Sequence, residues 1–212
     1  MKNIRTLLLT LTVAGSCSWI GFSNAAELLP AVPAGAQALS LQGKPLYAAS
    51  PNEDTRENFV AARASYELDP NIADTIIWYG RRTAYAGDYR RAIEIFSEGV
   101  NKFPEDPRFY RHRGHRYISI REFDRAISDF EQAAGLMQSL PLQVEPDGLP
   151  NAQNIPLTST QGNVWYHLGL AYYLKQDWEN AKRAYDLDHG VARNDDNRVS
   201  IAHWRYMIRR RM

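Results

Sequence analysis

Small and aromatic side chains recur along this chain at one fixed interval. The same step separates Gly80 from Gly114, Tyr89 from Phe123, Ala92 from Ala126, and Phe96 from Phe130. The set returns as Gly169, Trp178, Ala181 and Tyr185, displaced by more than one step, so an insertion at 141–161 separates the second copy from the third. A small residue lets two helices approach closely, and an aromatic fills the gap beside it. At a step of about 34 residues the pattern predicts stacked helix–turn–helix units. The copies lie near 73–106, 107–140 and 162–195. A further helix precedes them. Ser50-Pro51-Asn52-Glu53 reads as a capping box with proline at the first helical position, and the helix ends near Leu68-Asp69-Pro70-Asn71. A last helix at 196–211 has Asp195 and Asp196 at its start and Arg209, Arg210 and Arg211 at its finish, which suits the helix dipole. With no partner after it, that helix caps the stack. The expected fold is all-α, an α-α superhelical solenoid of about three and a half helix pairs plus a C-terminal capping helix, over residues 51–212.

The residues at these positions resemble the tetratricopeptide repeat family. In the first copy they are Trp78-Tyr79-Gly80, Gly87-Asp88-Tyr89, Ala92, Phe96 and Pro104. In the second they are Tyr110, Gly114, Tyr117, Phe123, Ala126, Phe130 and Ala133. The third copy, Trp165-Tyr166-His167-Leu168-Gly169-Leu170-Ala171-Tyr172-Tyr173 followed by Asp177-Trp178, Ala181 and Tyr185, is nearest the family pattern. The resemblance implies a protein-interaction scaffold whose first helices line a concave groove. It implies no particular partner.

The N-terminus reads as an address. Lys2 and Arg5 precede an apolar run from Leu7 to Ala14 that resumes at Trp19, Ile20 and Phe22, and no acid appears before Glu27. Ser23-Asn24-Ala25 supplies a small-x-small pattern, so residues 1–25 are expected to be a secretory signal peptide. Periplasmic or secreted localisation follows from that, with lipid anchoring at Cys17 or an uncleaved signal as the routes to a membrane. Residues 26–50, with Pro30, Pro33, Gly35, Gly43 and Pro45, read as an extended linker.

Net charge matters only once it is placed on the helices. The chain has 25 Lys+Arg and 24 Asp+Glu, which excludes a globally basic nucleic-acid binder. Removing Lys2 and Arg5 with the signal leaves 23 against 24. The near-balance conceals segregation, because five arginines, two histidines and no acid lie between Asp106 and Glu122. Three- and four-residue spacing puts Arg108, Arg111, His112 and His115 on one face of the second copy's first helix. The equivalent faces carry Asp74, Ile77, Trp78 and Arg81 in the first copy, and Asn163, Tyr166, His167, Leu170 and Tyr173 in the third.

The family resemblance turns these faces into the groove. The expected peptide-binding set is therefore Trp78, Arg81, Arg108, Arg111, His112, His115, Tyr166, His167 and Tyr173. Arginine offers a bidentate fork to a carboxylate, and Tyr and Trp supply contact area. Arg111, His115 and His167 match part of the carboxylate clamp of some family members, whereas Ile201 stands where such a clamp would want a base. The expected partner is an acidic or carboxylate-bearing segment of another cell-envelope protein. A groove filled by the chain's own linker or insertion is the alternative.

Arg113 replaces a packing leucine of the family pattern, and Arg82 and Arg116 replace alanines. Burying an arginine without an acid is costly, so carboxylate partners are expected among Glu94, Asp129, Glu145 and Asp147, unless Arg113 reaches solvent along its stem. The insertion, with four prolines and the turn Pro146-Asp147-Gly148, is a brace, a lid or a passive loop.

Catalysis is not expected. The single cysteine, Cys17, leaves with the signal, and there is no phosphate loop, nucleophile elbow or dinucleotide fingerprint. His112, His115 and His167 offer a weak case for a metal-dependent enzyme, opposed by the arginines crowding them. No cofactor or metal is assigned, and His189 and His203 are given structural or exposed places.

Overall fold

A computed structural model of the chain describes residues 31–145 and 158–212. The proposed signal peptide, Cys17 and Asp147 lie outside the described residues. Eight helices are present among those residues: α1 (Glu53–Leu68), α2 (Ala73–Tyr85), α3 (Tyr89–Lys102), α4 (Pro107–Ser119), α5 (Phe123–Leu136), α6 (Thr160–Leu174), α7 (Trp178–Val191) and α8 (Asp195–Arg209). Each packs on its neighbours in sequence. The first helices α2, α4 and α6 also touch one another in series, which makes an inner layer. None of the described helices is long and apolar enough to cross a membrane.

The repeat interval has a steric cause. A Cβ on Gly80 would lie 2.5 Å from the Phe96 ring, one on Gly114 3.1 Å from Phe130, and one on Gly169 2.7 Å from Tyr185. In each pair the first helix holds the glycine and the second holds the aromatic, so every repeat closes the same knob against the same notch. Phe96, Phe130 and Tyr185 are buried almost completely. Gly99 performs the same task between repeats, since a Cβ there would stand 2.1 Å from the ring of Phe109.

The turns are equally repetitive. Gly87, Arg121 and Gln176 occupy the same repeat position, and all three have positive φ (94°, 65° and 63°). Only the first is glycine, the residue that adopts this conformation at no steric cost. Asp88 and Asp177 then cap α3 and α7 by accepting from Arg91 N and Asn180 N, and Asp106 caps α4 ahead of Pro107.

Two N-terminal expectations change. The cap of α1 is Asn52, whose side chain accepts from Thr55 N at 2.9 Å, so the helix begins at Glu53 and Pro51 stands outside it. Asn52 reaches the third helical amide itself, so a cap at Ser50 is not needed. Nor is the described part of the linker simply extended. Ala38–Leu39 pairs antiparallel with Pro45–Leu46 across a turn at Gly43, and Ala36 and Ala38 are buried. The Gln37 side chain accepts from Tyr89 N, and Arg90 donates to the Gln37 carbonyl, which pins this hairpin to the start of α3. Ala48 then lies against Gly87, where a Cβ would approach it to 2.6 Å.

Candidate functional site

The inner layer gathers the basic side chains, and among the described residues Glu145 answers them from the insertion. Residues 141–145 run antiparallel to 158–161. Thr160 N donates to the Gln143 carbonyl at 2.7 Å, and Glu145 N donates to the Thr158 carbonyl at 3.2 Å. The Gln161 side chain accepts from Gln143 N and donates to the Pro141 carbonyl, tying the start of this strap to the first turn of α6. The strap delivers Glu145 to the basic centre. Its carboxylate lies 3.2 Å from Arg111 Nη2 and 4.0 Å from Arg81 Nη1, and the residue is 5% exposed.

The basic residues expected to line a groove do come together on the inner face, but most of them are buried there and only a small cavity of about 70 Å³ lies between Arg81, Arg111, His112 and Arg116. Arg81, Arg111 and His112 are buried, and His115 and His167 are half-buried, rather than lining a free basic surface. Arg108 keeps a partly exposed head, and it is neutralised at home. Asp106 takes it by its Nε and Nη2 groups, and Asp74 accepts from Nη1 at 2.6 Å. These acids, Asp106 first, raise the Arg108 pKa further. The physical reason for the correction is reach: acids from α2, from the turn before α4 and from the strap all converge on inner-face guanidiniums.

The three histidines are held neutral. Burial first, then the nearby arginines, depress His112 well below the ordinary histidine range. Burial, His167 and Arg116 do the same for His115. Burial and Arg111 bring His167 down to about 3. Arg111 Nη1 lies 2.6 Å from His112 Nδ1, and because a guanidinium only donates, Nδ1 accepts. His167 Nδ1 donates to the Asn163 carbonyl at 2.7 Å. The rings serve as packing: His112 stacks on Phe96, and His115 meets His167 with centroids 4.2 Å apart. Among the described residues no group of three or more His, Cys, Asp and Glu is placed to hold a metal ion.

The arginines at packing positions divide. The structure brings Arg113 and Asp129 together as a bidentate pair, Nε and Nη2 donating at 2.8 and 2.7 Å, with Ser97 accepting from Nη1. Among the described residues, Arg82 and Arg116 meet none of the expected carboxylates. Arg82 lies over Trp78 and Tyr85, and Arg116 over Tyr89 at 5.5 Å. Burial pushes the Arg116 pKa down to about 10. Glu94 is engaged on the surface by Arg91 instead. An aromatic face can take the place of a carboxylate for a guanidinium without a second buried charge.

The aromatic groove residues are also partly claimed. Trp78 lies under Arg81 as well as Arg82. Tyr166 accepts from Trp204 Nε1 at 2.9 Å, and Tyr173 packs edge-on to Trp178 and Trp204. The capping helix α8 therefore covers much of the aromatic surface of the third repeat.

What remains open is divided by the strap. On one side a cavity of about 270 Å³ is bounded by Asp74, Trp78, Arg81, Arg108 and Glu145. On the other a cavity of about 430 Å³ lies between α6, α7, α8 and the strap. Val144 lines both. The second cavity contains Asp188, which sequence reasoning missed. A signal was present: Asp188 continues the buried stripe Ala181, Ala184 and Tyr185 of α7, where an acid is out of place.

Comparisons with known proteins agree with this architecture. No protein-family model and no curated protein matches the chain. Among solved structures, the crystal structure of MamA superposes with a TM-score of 0.56 at 18% identity, covering 74% of this chain and 73% of that one. The thermophilic TPR protein TTC0263 of Thermus thermophilus gives 0.55 at 14% identity, covering 71% and 72%. The first TPR domain of Spaghetti (RPAP3), bound to the HSP90 peptide SRMEEVD, gives 0.50 at 19% identity, covering 64% and 94%. The fold is an all-α solenoid of the tetratricopeptide-repeat type.

Proposed function

We propose that this chain is an exported protein-interaction module whose inner face takes a carboxylate-bearing segment of an envelope partner at Arg81 and Arg111. One observation carries the reading: a carboxylate, Glu145, already sits there, buried and delivered by the chain's own insertion. A surface that holds an internal carboxylate has the charge and shape for an external one, and the strap becomes a resident competitor. The neighbouring cavity, with Trp78 at its wall and Arg108 at its rim, offers contact area for the rest of such a segment. A structure of the same fold holding the acidic peptide SRMEEVD supports the choice of ligand class. Residues 1–25, with their basic start and apolar run, support export. Binding rather than catalysis is the reading because the inner-face titratable groups are paired or held neutral.

The test is fluorescence anisotropy with a labelled acidic heptapeptide bearing a free C-terminus. Glu145→Gln should bind it at least tenfold tighter than the wild type, and Arg111→Glu should not bind it. A second reading, that the strap is purely a brace, is favoured by its backbone pairing with 158–161. In that case Glu145→Gln loses stability and gains no peptide affinity, which would overturn the competitor reading.

A further inference from the structure

The larger cavity lies apart from the basic centre, across the strap, and its chemistry is the opposite. Its walls are mostly apolar: Leu142 and Val144 from the strap, Tyr166 from α6, Val191 from the end of α7 and Ile201 from α8. Its volume of about 430 Å³ is in the range of small-molecule pockets. Asp188 is the acid among its described lining residues. It is 5% exposed, and its carboxyl forms no hydrogen bond or ion pair among the described residues. It faces the first turn of α6, where a Cβ on Gly162 would stand 3.4 Å from its Oδ1.

Buried carboxylates in a folded protein are ordinarily paired or hydrogen-bonded, because losing water without a partner is expensive. The charged and titratable groups around Asp188 do not supply a partner. From α6 come Tyr166, whose hydroxyl lies on Trp204 Nε1 and makes no hydrogen bond to Asp188, and His167, which is neutral and already donates to a carbonyl. From α7 comes Tyr185, and from the turn before α8 comes Arg193, whose side chain is exposed. The strap residues on this cavity, Leu142, Val144, Thr158 and Ser159, carry no charge.

We propose that this cavity is a binding site for a protonated amine on a short apolar body, with Asp188 as the counter-ion and the Leu142–Val144 side of the strap as its cover. An ammonium would supply the donor that Asp188 lacks, while the hydrocarbon would fill apolar walls. The site stands without the carboxylate-binding reading, because neither Arg81 nor Arg111 lines it and Val144 is the one wall it shares with the cavity beside them. Burial alone pushes the Asp188 carboxyl up to about 7. An ammonium favours the ionised form, so binding strengthens as pH rises from 6 to 8.

The experiment is calorimetric titration of the full chain with 2-phenylethylamine, with neutral 2-phenylethanol as the isosteric control. A free amine and a partner's lysine share this chemistry, so the capped peptide acetyl-Ala-Lys-Ala-amide is titrated beside them to separate the two sources. The amine or the lysine peptide should bind the wild type, more tightly at pH 8 than at pH 6. Asp188→Asn should weaken it at least tenfold and flatten the pH dependence. Ser200→Trp, which fills the cavity from its α8 wall, should also abolish binding while circular dichroism shows the helices intact. Absence of binding by both probes would overturn the proposal. So would equal binding of amine and alcohol, or binding unchanged in Asp188→Asn.

Discussion

Replacing Glu145 by alanine removes one carboxylate and leaves two guanidiniums behind it. The consequence can be sized from burial. Glu145, Arg81 and Arg111 are 5%, 6% and 8% exposed, so water cannot take the place of the lost acid without opening the strap. Breaking a buried ion pair by deleting one partner costs ~3–5 kcal/mol. The contact to Arg81 is at 4.0 Å and adds less than the 3.2 Å contact to Arg111, which places the expected loss near the low end, about 3 kcal/mol. For a domain of this size each kcal/mol moves the midpoint by roughly 2–4 °C, so Tm should fall by about 6–12 °C. The assay is thermal and urea unfolding followed by circular dichroism, with Arg111→Met and the Arg111→Met/Glu145→Ala double variant completing a cycle. The double variant should recover part of the loss, because Arg111 no longer needs its acid, and the coupling should exceed about 1 kcal/mol. A midpoint within about 2 °C of the wild type, on the same scaling, or no coupling, would show that Glu145 does not brace the inner face.

Arg113→Leu should destabilise by about 2–4 kcal/mol by leaving Asp129 buried without its fork, whereas Arg113→Leu combined with Asp129→Leu should cost much less; urea titration separates them. Gln176→Gly should stabilise by ~1 kcal/mol, since the turn holds that residue at positive φ, and an unchanged urea midpoint would contradict this. Gly99→Ala should destabilise by at least ~2 kcal/mol through the Phe109 ring, while Gly135→Ala, with open space around it, should be neutral or mildly stabilising. In pH titrations of stability the histidines and Asp188 act in opposite directions. His112, His115 and His167 stay neutral in the fold but protonate in the unfolded chain below 6.5, so their contribution is whole above that pH and is lost as pH falls. Asp188 remains protonated in the fold up to about 7 but ionises above 3.8 when unfolded, so it lowers stability increasingly as pH rises through that window. Asp188→Asn should therefore raise stability at pH 8 and leave it nearly unchanged at pH 4, by urea unfolding at both.

The helices were legible because their cause is short-range and repeated. Gly80, Gly114 and Gly169 each meet an aromatic on the next helix, and a spacing set by sterics leaves a period in the sequence. The site was legible in composition but not in accessibility. Spacing placed Arg111 and His112 together on an inward face. It could not say that Glu145, beyond α5 and within a proline-rich insertion, would arrive on Arg111. Arg82 and Arg116 show the limit of a charge-only argument. Their partners are Trp78, Tyr85 and Tyr89, and aromatic faces carry no sign that a tally of acids would register.

The strap has a consequence for both proposed sites at once. Glu145 and Val144 are adjacent, and in the extended strap their side chains point to opposite faces. Glu145 enters the basic centre, and Val144 forms a wall shared by both cavities. A ligand that displaces Glu145 from Arg111 must move the residue beside it, and with it the cover over Asp188. The backbone bonds at Gln143 and Thr158 hold both residues in one short ladder, so the strap is expected to shift as a unit. Carboxylate and ammonium ligands would then oppose each other without sharing a charged contact. Under this linkage, a saturating acidic peptide should weaken 2-phenylethylamine binding to the wild type, and the amine should weaken the peptide by the same factor. Independent affinities would mean that the two faces of the strap move separately.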